Sequence, residues 1–398
     1  MPWRPGIVNV DQVNIKWVIA RLLTSEEAAR RLGVKVTTLY AYVSRGLLSS
    51  HRAAGGRQSL FALADIERLA DRSRGARHAE SRLATVTTRV TQLGPGGPSY
   101  RGREAPGLVG HVTFEDAAAL LWESGEAGDW RAPDLGECPL TDMADRMRWT
   151  LVMCGATDPR RADLRPGAVT GAARRVIAAL VDTVGRHDHD GDGGLPIAAR
   201  LNARLGGTED GRVGAVDAAL VLMADHELAT STVAVRLAAS TRADLCDALL
   251  AGLATLAGPL HGGASRQAHE LLVRAERDGA APALSELLRA HRHLPGFGHM
   301  IYRDEDPRFA PLMALVEPLL SDSRRALVHE VLSLAATHDV AIPNCDLALA
   351  TLSWGTGMPA DAGRTLFTVA RVAGWTAHYQ EELLERPLRF RARAVYSV

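Results

Sequence analysis

The residues best suited to chemistry in this 398-residue chain lie in four short stretches. The first is Gly258-Pro259-Leu260-His261-Gly262-Gly263, which follows a helix-period run with Leu245, Leu249, Leu253 and Leu256 on one face behind a cap signal at Ser240 and Thr241. Gly258 and Pro259 stop that helix, and a new helical pattern resumes from about Ser265 through Leu272. His261 is thus expected at a junction between helices, where the dipole of the following helix disfavours imidazolium. A neutral imidazole there can donate a hydrogen bond; the alternative is a turn histidine of no chemical consequence. The second stretch is Asp225-His226-Glu227-Leu228, followed by Ala229-Thr230-Ser231-Thr232. The third is Pro295-Gly296-Phe297-Gly298-His299 with Asp306-Pro307-Arg308. The fourth is Pro343-Asn344-Cys345-Asp346, with Arg371-Val372-Ala373-Gly374-Trp375 and a tail beginning Arg391-Ala392-Arg393. Each alone is as well explained by structure; their order and spacing together are another matter.

The elements that must hold these residues are helical. Hydrophobic content is 46% with only 5% aromatic residues, and the alanine- and leucine-rich texture predicts a mostly helical soluble protein of two or three domains. Thr113 and Asp116 open a helix carrying Ala117, Leu120, Leu121 and Trp122, and similar segments continue towards Tyr379. Before them, Leu83 to Arg101 alternates as strands turning at Gly94-Pro95-Gly96-Gly97; no helix follows where a phosphate-binding loop needs one. Asp188, Asp190, Asp192 and Gly193 match half of a calcium loop, but Ala199 stands where the bidentate glutamate belongs, so no metal is expected. The four cysteines form no CxxC pair, and no apolar run approaches the roughly 18 residues that span a bilayer. A reduced, cytoplasmic protein without a membrane partner is expected.

The N-terminal segment differs in charge. Residues 1–75 hold twelve Arg/Lys against six Asp/Glu, while the whole chain is neutral. Thr24 and Glu27 form a capping box for a short helix ending at Gly33, and a second helix runs from about Thr37 to Ser44. A small hairpin turning at Gly55-Gly56 follows, then a helix through Ile66 and Leu69. The stretch Thr24 to Arg72 resembles a MerR-like winged helix-turn-helix, whose second helix enters the DNA major groove. That resemblance implies DNA contact through Thr37, Thr38, Tyr40 and Arg45, with Arg52 and Arg57 in the wing; the alternative is a domain that packs on its neighbour and touches no DNA.

From about residue 80 to 398 the four stretches, with Tyr100-Arg101-Gly102 and Phe114-Glu115-Asp116 near the start, resemble the citrate synthase family. The resemblance implies an all-α fold: a large domain from residues 76–239 and 351–398, and a small domain over 240–350 that closes on the substrates. It also implies an acyltransferase in which Asp346 takes a proton beside the thioester carbonyl of acetyl-CoA, neutral His261 donates to the thioester oxygen, and His299 polarises the ketone of oxaloacetate. Arg308, Arg371 and Arg391 would hold the two carboxylates of oxaloacetate, with His226 adding a hydrogen bond. Arg391 would come from the other subunit of a homodimer. Arg303 falls where the family places a cation near the CoA phosphates, and Gly296, Phe297 and Gly298 resemble the segment that meets the adenine.

The implied reaction needs no permanently bound cofactor; acetyl-CoA is a co-substrate. Departures from the family pattern are Ala229 for a frequent asparagine, Met300 for a basic residue, Leu347-Ala348-Leu349 for a Tyr-Ser-Gly run and Ala392 for proline. They bear on CoA affinity and substrate preference. Two other readings remain: a 2-methylcitrate synthase using propionyl-CoA, and a DNA-binding regulator whose synthase-like body senses a metabolite.

Overall fold

In the computed structural model, the described residues are 22–32, 34–44, 47–52, 59–62, 65–66, 86–125, 128–185, 194–207, 210–258, 261–289, 294–337 and 342–390. The chain divides into two compact units, Met1–Thr85 and Val86–Val398. The Gly55-Gly56 turn, Leu69, the His187–Gly193 segment, Arg45, Arg57 and Arg391 lie outside the described residues, as does the side chain of Arg52.

In the first unit, β1 (Leu22–Thr24) leads into α1 (Ser25–Leu32), and α2 (Val36–Ser44) follows. The expected capping box forms: Thr24 N–H donates to Glu27 Oε2 at 2.9 Å, and Glu27 N–H to Thr24 Oγ1 at 3.3 Å. β2 (His51–Arg52) and β1 both pair antiparallel with β3 (Ser59–Ala62), so a third strand joins the anticipated hairpin. Ala28, Ala29, Leu32, Leu39, Leu48, Phe61 and Ile66 form this unit's own core.

The second unit opens with β4 (Thr91–Gly94), β5 (Gly97–Tyr100) and β6 (Arg103–Glu104), a three-stranded antiparallel sheet with its first turn at Gly94–Gly97 as the sequence predicts. Helices follow: α3 (Phe114–Trp122), α4 (Met143–Thr157), α5 (Pro166–Thr183), α6 (Ile197–Arg204), α7 (Asp210–Met223), α8 (Thr230–Ser240), α9 (Leu245–Leu256), α10 (Ala264–Asp278), α11 (Ala280–Arg289), α12 (Phe309–Val316), α13 (Asp322–Thr337), α14 (Cys345–Gly355) and α15 (Ala362–Leu383). Thr113 and Asp116 make the expected capping box on α3. The α9 cap differs from expectation. Ser240 closes α8 and Thr241 is that helix's C-cap, whereas Asp244 accepts from Asp247 N–H at the start of α9. Two helices with a short break stand where one cap signal was read, because Asp244 supplies the better acceptor.

The long helix α15 is buried along most of its length, since its faces carry Leu366, Val369, Ala370, Val372, Ala373, Trp375 and Ala377. It packs on α3, α5, α7, α8 and α9, while α10 packs on α11 and α14, and α12 on α14. Gly374 allows the closest approach: its N–H donates to Ala224 O at 3.0 Å, and a Cβ there would lie 2.1 Å from Asp225 Oδ1. The helix bearing Arg371 is thereby seated against the turn bearing Asp225 and His226. Cys138, Cys154, Cys246 and Cys345 are buried free thiols.

Candidate active site

Arg308 is the site's best-anchored cation. It ends the loop before α12 and is 2% exposed. Asp306 accepts from its Nε and Nη2, each at 2.9 Å, and also takes Cys345 N–H at 2.9 Å, at the start of α14. One carboxylate therefore fixes Arg308 relative to the helix carrying Asp346. Burial opposes the charge on Arg308, but Cys345 and the Asp306 carboxylate together more than offset it and hold the guanidinium charged. Arg308 in turn, against burial, keeps Asp306 ionised.

His299, Tyr302 and His226 stack beside this pair. The His299 ring lies 4.6 Å from Tyr302, nearly parallel, and 5.3 Å from His226, edge on. Its Nδ1 accepts Ile301 N–H at 3.1 Å and Tyr302 N–H at 3.3 Å. Nδ1 must then be unprotonated, which puts the proton of the neutral ring on Nε2. Nε2 faces Arg308 Nη2 at 3.2 Å, so two donors confront one another. Burial and the Arg308 charge lower His299 to about 4, so the ring is neutral at pH 7. His226 Nε2 lies 3.1 Å from Tyr302 Oη; burial, then Arg308 and Arg371, push its pKa well down.

Arg371 projects from α15, donates from Nε to Met223 O at 3.0 Å and lies over the Phe367 ring at 4.4 Å. Burial lowers its pKa, the Asp225 carboxylate raises it and Arg308 lowers it again, so two buried cations repel across this region. Such a pair favours an anion between them.

His261 precedes Gly263, the N-cap of α10, and Nε2 lies 2.9 Å from Ser231 Oγ, on α8. Its pKa is lowered, the direction expected, by burial first and by Arg371 second. Asp346 is half-buried in the first turn of α14, where its N–H donates to Asn344 Oδ1 at 2.9 Å. Burial raises its carboxyl to about 6, with Arg308 opposing and Asp306 adding to the rise. Among the described residues that carboxylate has no hydrogen-bond partner.

The Leu294–Gly298 loop is laced to the approach of α14. Asn344 N–H donates to Gly296 O at 3.0 Å, Gly298 N–H to Ile342 O at 2.6 Å, and Asn344 Nδ2 to Gly298 O at 2.7 Å. Gly296 has φ +83°, and a Cβ there would lie 2.8 Å from Leu347 Cβ. Phe297 is buried and bridges to Pro343, so this loop offers a ligand its contour rather than the Phe297 ring. Arg303 is exposed, apart from the buried cluster.

The fold thus gathers Arg308, His299, His226, Asp346, Arg371 and His261 into one electrostatically linked group. Sequence reasoning gave no role to Tyr302, Asp306, Ser231, Asp225 or His378. Asp306 carried a usable signal, since an arginine destined for burial needs a carboxylate close by. His378 carried none: its Nε2 lies 3.2 Å from Asp225 Oδ2 across 153 residues.

The chain is similar to several known proteins. Residues 22–74 match the family "Helix-turn-helix domain". The chain is 27% identical over 334 residues to 2-methylcitrate synthase 1 of Corynebacterium glutamicum, covering 73% of this chain and 87% of that one. It is 33% identical over 216 residues to citrate synthase of Thermoplasma acidophilum, covering 49% of this chain and 54% of that one. The fold is similar to that of citrate synthase from Thermotoga maritima, with a TM-score of 0.64 and 23% identity over 79% of this chain and 94% of that one. It is also similar to the Thermoplasma acidophilum citrate synthase in ternary complex with carboxymethyl coenzyme A and oxaloacetate, with a TM-score of 0.65 and 21% identity over 80% of this chain and 94% of that one. With residues 133–392 matching "Citrate synthase, C-terminal domain", the chain belongs to the citrate synthase family of acyltransferases and carries a helix-turn-helix domain at its N-terminal end.

Proposed function

We propose that the second unit condenses acetyl-CoA with oxaloacetate and hydrolyses the product to citrate and CoA. The observation that carries this reading is the confrontation of His299 Nε2–H with Arg308 Nη2 at 3.2 Å. His299 Nε2–H and the second N–H of Arg308 Nη2, whose first goes to Asp306, face each other without an acceptor, and a keto acid supplies both: its ketone oxygen for His299 and a carboxylate for Arg308. Arg371 and His226 complete the binding of oxaloacetate. Arg391 from a second copy of the chain would join them, making the active unit a homodimer.

Asp346 takes a proton from the acetyl methyl carbon, and His261, its Nε2 held by Ser231 Oγ, donates from Nδ1 to the thioester oxygen, giving an enol. The enol carbon bonds to the ketone carbon as the enol O–H proton returns to His261, and His299 gives its proton to the new alkoxide. Water then cleaves the C–S bond, leaving a carboxylate and the CoA thiol. A carboxyl near 6 suits the first step, being ionised at neutral pH yet more basic than a free aspartate. Arg303 and the Gly296–Gly298 contour serve CoA, and a small domain of about residues 240–350 closes over both substrates. The protein works in the cytoplasm.

A second reading uses propionyl-CoA and yields 2-methylcitrate; the C. glutamicum relative, matched over 87% of its length, favours it. One methylene is worth about 1–3 kcal/mol of discrimination. The test is CoA release by the purified chain with oxaloacetate and either thioester, with Asp346→Ala as control. Turnover lost in the variant supports the assignment, and the ratio of the two rates names the substrate. No turnover with either thioester sinks it. For the first unit we propose DNA binding through α2, with Thr37 and Thr38 at the groove, Tyr40 bracing the helix at its rim, and Arg45, Arg52 and Arg57 at phosphates.

A further inference from the structure

Tyr302 touches three of the residues assigned above to the keto-acid pocket. Its ring stacks on His299 at 4.6 Å, lies under the Arg308 guanidinium at 5.4 Å, and its hydroxyl meets His226 Nε2 at 3.1 Å. Its main-chain N–H also fixes His299 Nδ1. Tyr302 and His226 are 6% and 8% exposed, so water does not freely replace a missing partner at either.

The direction of the Tyr302–His226 bond follows from this confinement. The hydroxyl has no other hydrogen-bond partner among the described residues. Were it to accept from Nε2–H, its own proton would be buried unpaired, at the cost of a lost hydrogen bond. Donation to Nε2 leaves nothing orphaned on tyrosine. The proton of the neutral imidazole then sits on Nδ1.

We infer that Tyr302 is a positioning residue that sets the tautomer of His226: by donating to Nε2 it holds the proton on Nδ1 and keeps that N–H available to a carboxylate of the keto acid. His299 and His226 therefore present opposite tautomers, Nε2–H and Nδ1–H, each enforced by a neighbour from the Ile301–Tyr302 segment. This inference rests on the pocket binding oxaloacetate, but the tautomer itself is readable without turnover.

The test uses the full chain labelled with 15N-histidine, its His226 signals assigned by their loss in His226→Gln. Two-bond 1H–15N correlation spectra report the tautomer at pH 7 in wild type and in Tyr302→Phe, which removes one oxygen and retains the ring. Expected are Nδ1–H in the wild type, its loss or mixing in the variant, and a roughly ten-fold rise in KM for oxaloacetate with KM for acetyl-CoA unchanged. Nε2–H in the wild type overturns the inference. So does an unchanged oxaloacetate KM, or an equal rise in both constants with an unaltered tautomer, which marks a merely structural residue. If the wild type turns over nothing, the proposed reaction fails; calorimetric oxaloacetate binding, weakened or not in Tyr302→Phe, then decides this inference separately.

Discussion

Asp306 holds Arg308 through two parallel hydrogen bonds of 2.9 Å, and the pair is almost wholly enclosed. The same carboxylate closes the start of α14 through Cys345 N–H. Asp306→Asn removes the charge while keeping the shape, leaving a buried guanidinium without a counter-ion. Breaking one half of a buried pair costs about 3–5 kcal/mol. Thermal or urea unfolding of the variant is expected to show a loss on that scale, together with weaker oxaloacetate binding. A variant as stable as wild type would show that water or another anion already screens Arg308.

The Asp346 carboxyl, raised to about 6, makes two opposite demands. As a base it must be ionised, so kcat/KM is expected to fall as pH drops through about 6. For stability the sign is reversed. The folded state holds the proton more tightly than the unfolded chain, so this group's contribution declines as pH rises from about 4 through 6 and is unfavourable at pH 7. Asp346→Asn should therefore gain about 1–3 kcal/mol at pH 7, less at pH 4, while losing turnover. Denaturation at the two pH values, with the pH–rate profile, measures both halves; a destabilised Asp346→Asn at pH 7 contradicts the assignment.

Much of the scaffold was readable because it is local. The Thr113–Asp116 box, the Gly94–Gly97 turn and the break before His261 each depend on residues within a few positions. The α9 start was misread because Ser240, Thr241 and Asp244 all resemble caps, and only the end of α8 decides among them. The support of the site was not readable for the opposite reason. Tyr100 donates to Val221 O and Leu222 O and also contacts Asp225, more than 120 residues away, and His378 reaches Asp225 from α15. No periodicity encodes such pairs. Two causes of His261's neutrality have no sequence signal: burial and Arg371 act on it only once the chain has folded.

His261 depends on Ser231 for its orientation, since their 2.9 Å contact is the ring's one side-chain hydrogen bond among the described residues. Ser231→Ala leaves the imidazole in place but free to turn. Turnover number is expected to fall by roughly ten-fold, the scale of one hydrogen bond, with little change in KM for oxaloacetate. Steady-state kinetics with each substrate varied separates this from a general loss of binding.

Ala229 begins α8 with extended backbone, φ −53° and ψ 155°, and no side-chain cap. The geometry suits an asparagine, whose side chain would accept a first-turn N–H. Ala229→Asn is expected to stabilise the chain by about 1 kcal/mol, read as a shift of the urea midpoint at constant m-value. Because α8 also carries Ser231, the same change should leave the His261 contact intact. A loss of stability would mean that the residues around the α8 start leave no room for the longer side chain.

The N-terminal unit presents α2 with Leu39 buried beneath it and Thr37 and Tyr40 exposed. Tyr40 Oη is already within 2.9 Å of Ser25 Oγ, and its ring lies edge on to Phe61 at 6.4 Å, so it serves better as a prop for α2 than as a free reader of bases. The excess of six positive charges over residues 1–75 supplies a sequence-independent attraction to phosphates. The intact protein is therefore expected to be retained on duplex DNA at low salt and released as salt rises, each neutralised phosphate adding about 0.9 to the slope of log K against log salt. Thr37→Glu with Thr38→Glu places two negative charges at the start of α2 and should abolish retention without altering CoA release, because these positions belong to a separate compact unit. Retention that survives both substitutions would move the DNA contact off α2, and no retention of the intact protein at any salt would leave the unit without a nucleic-acid role.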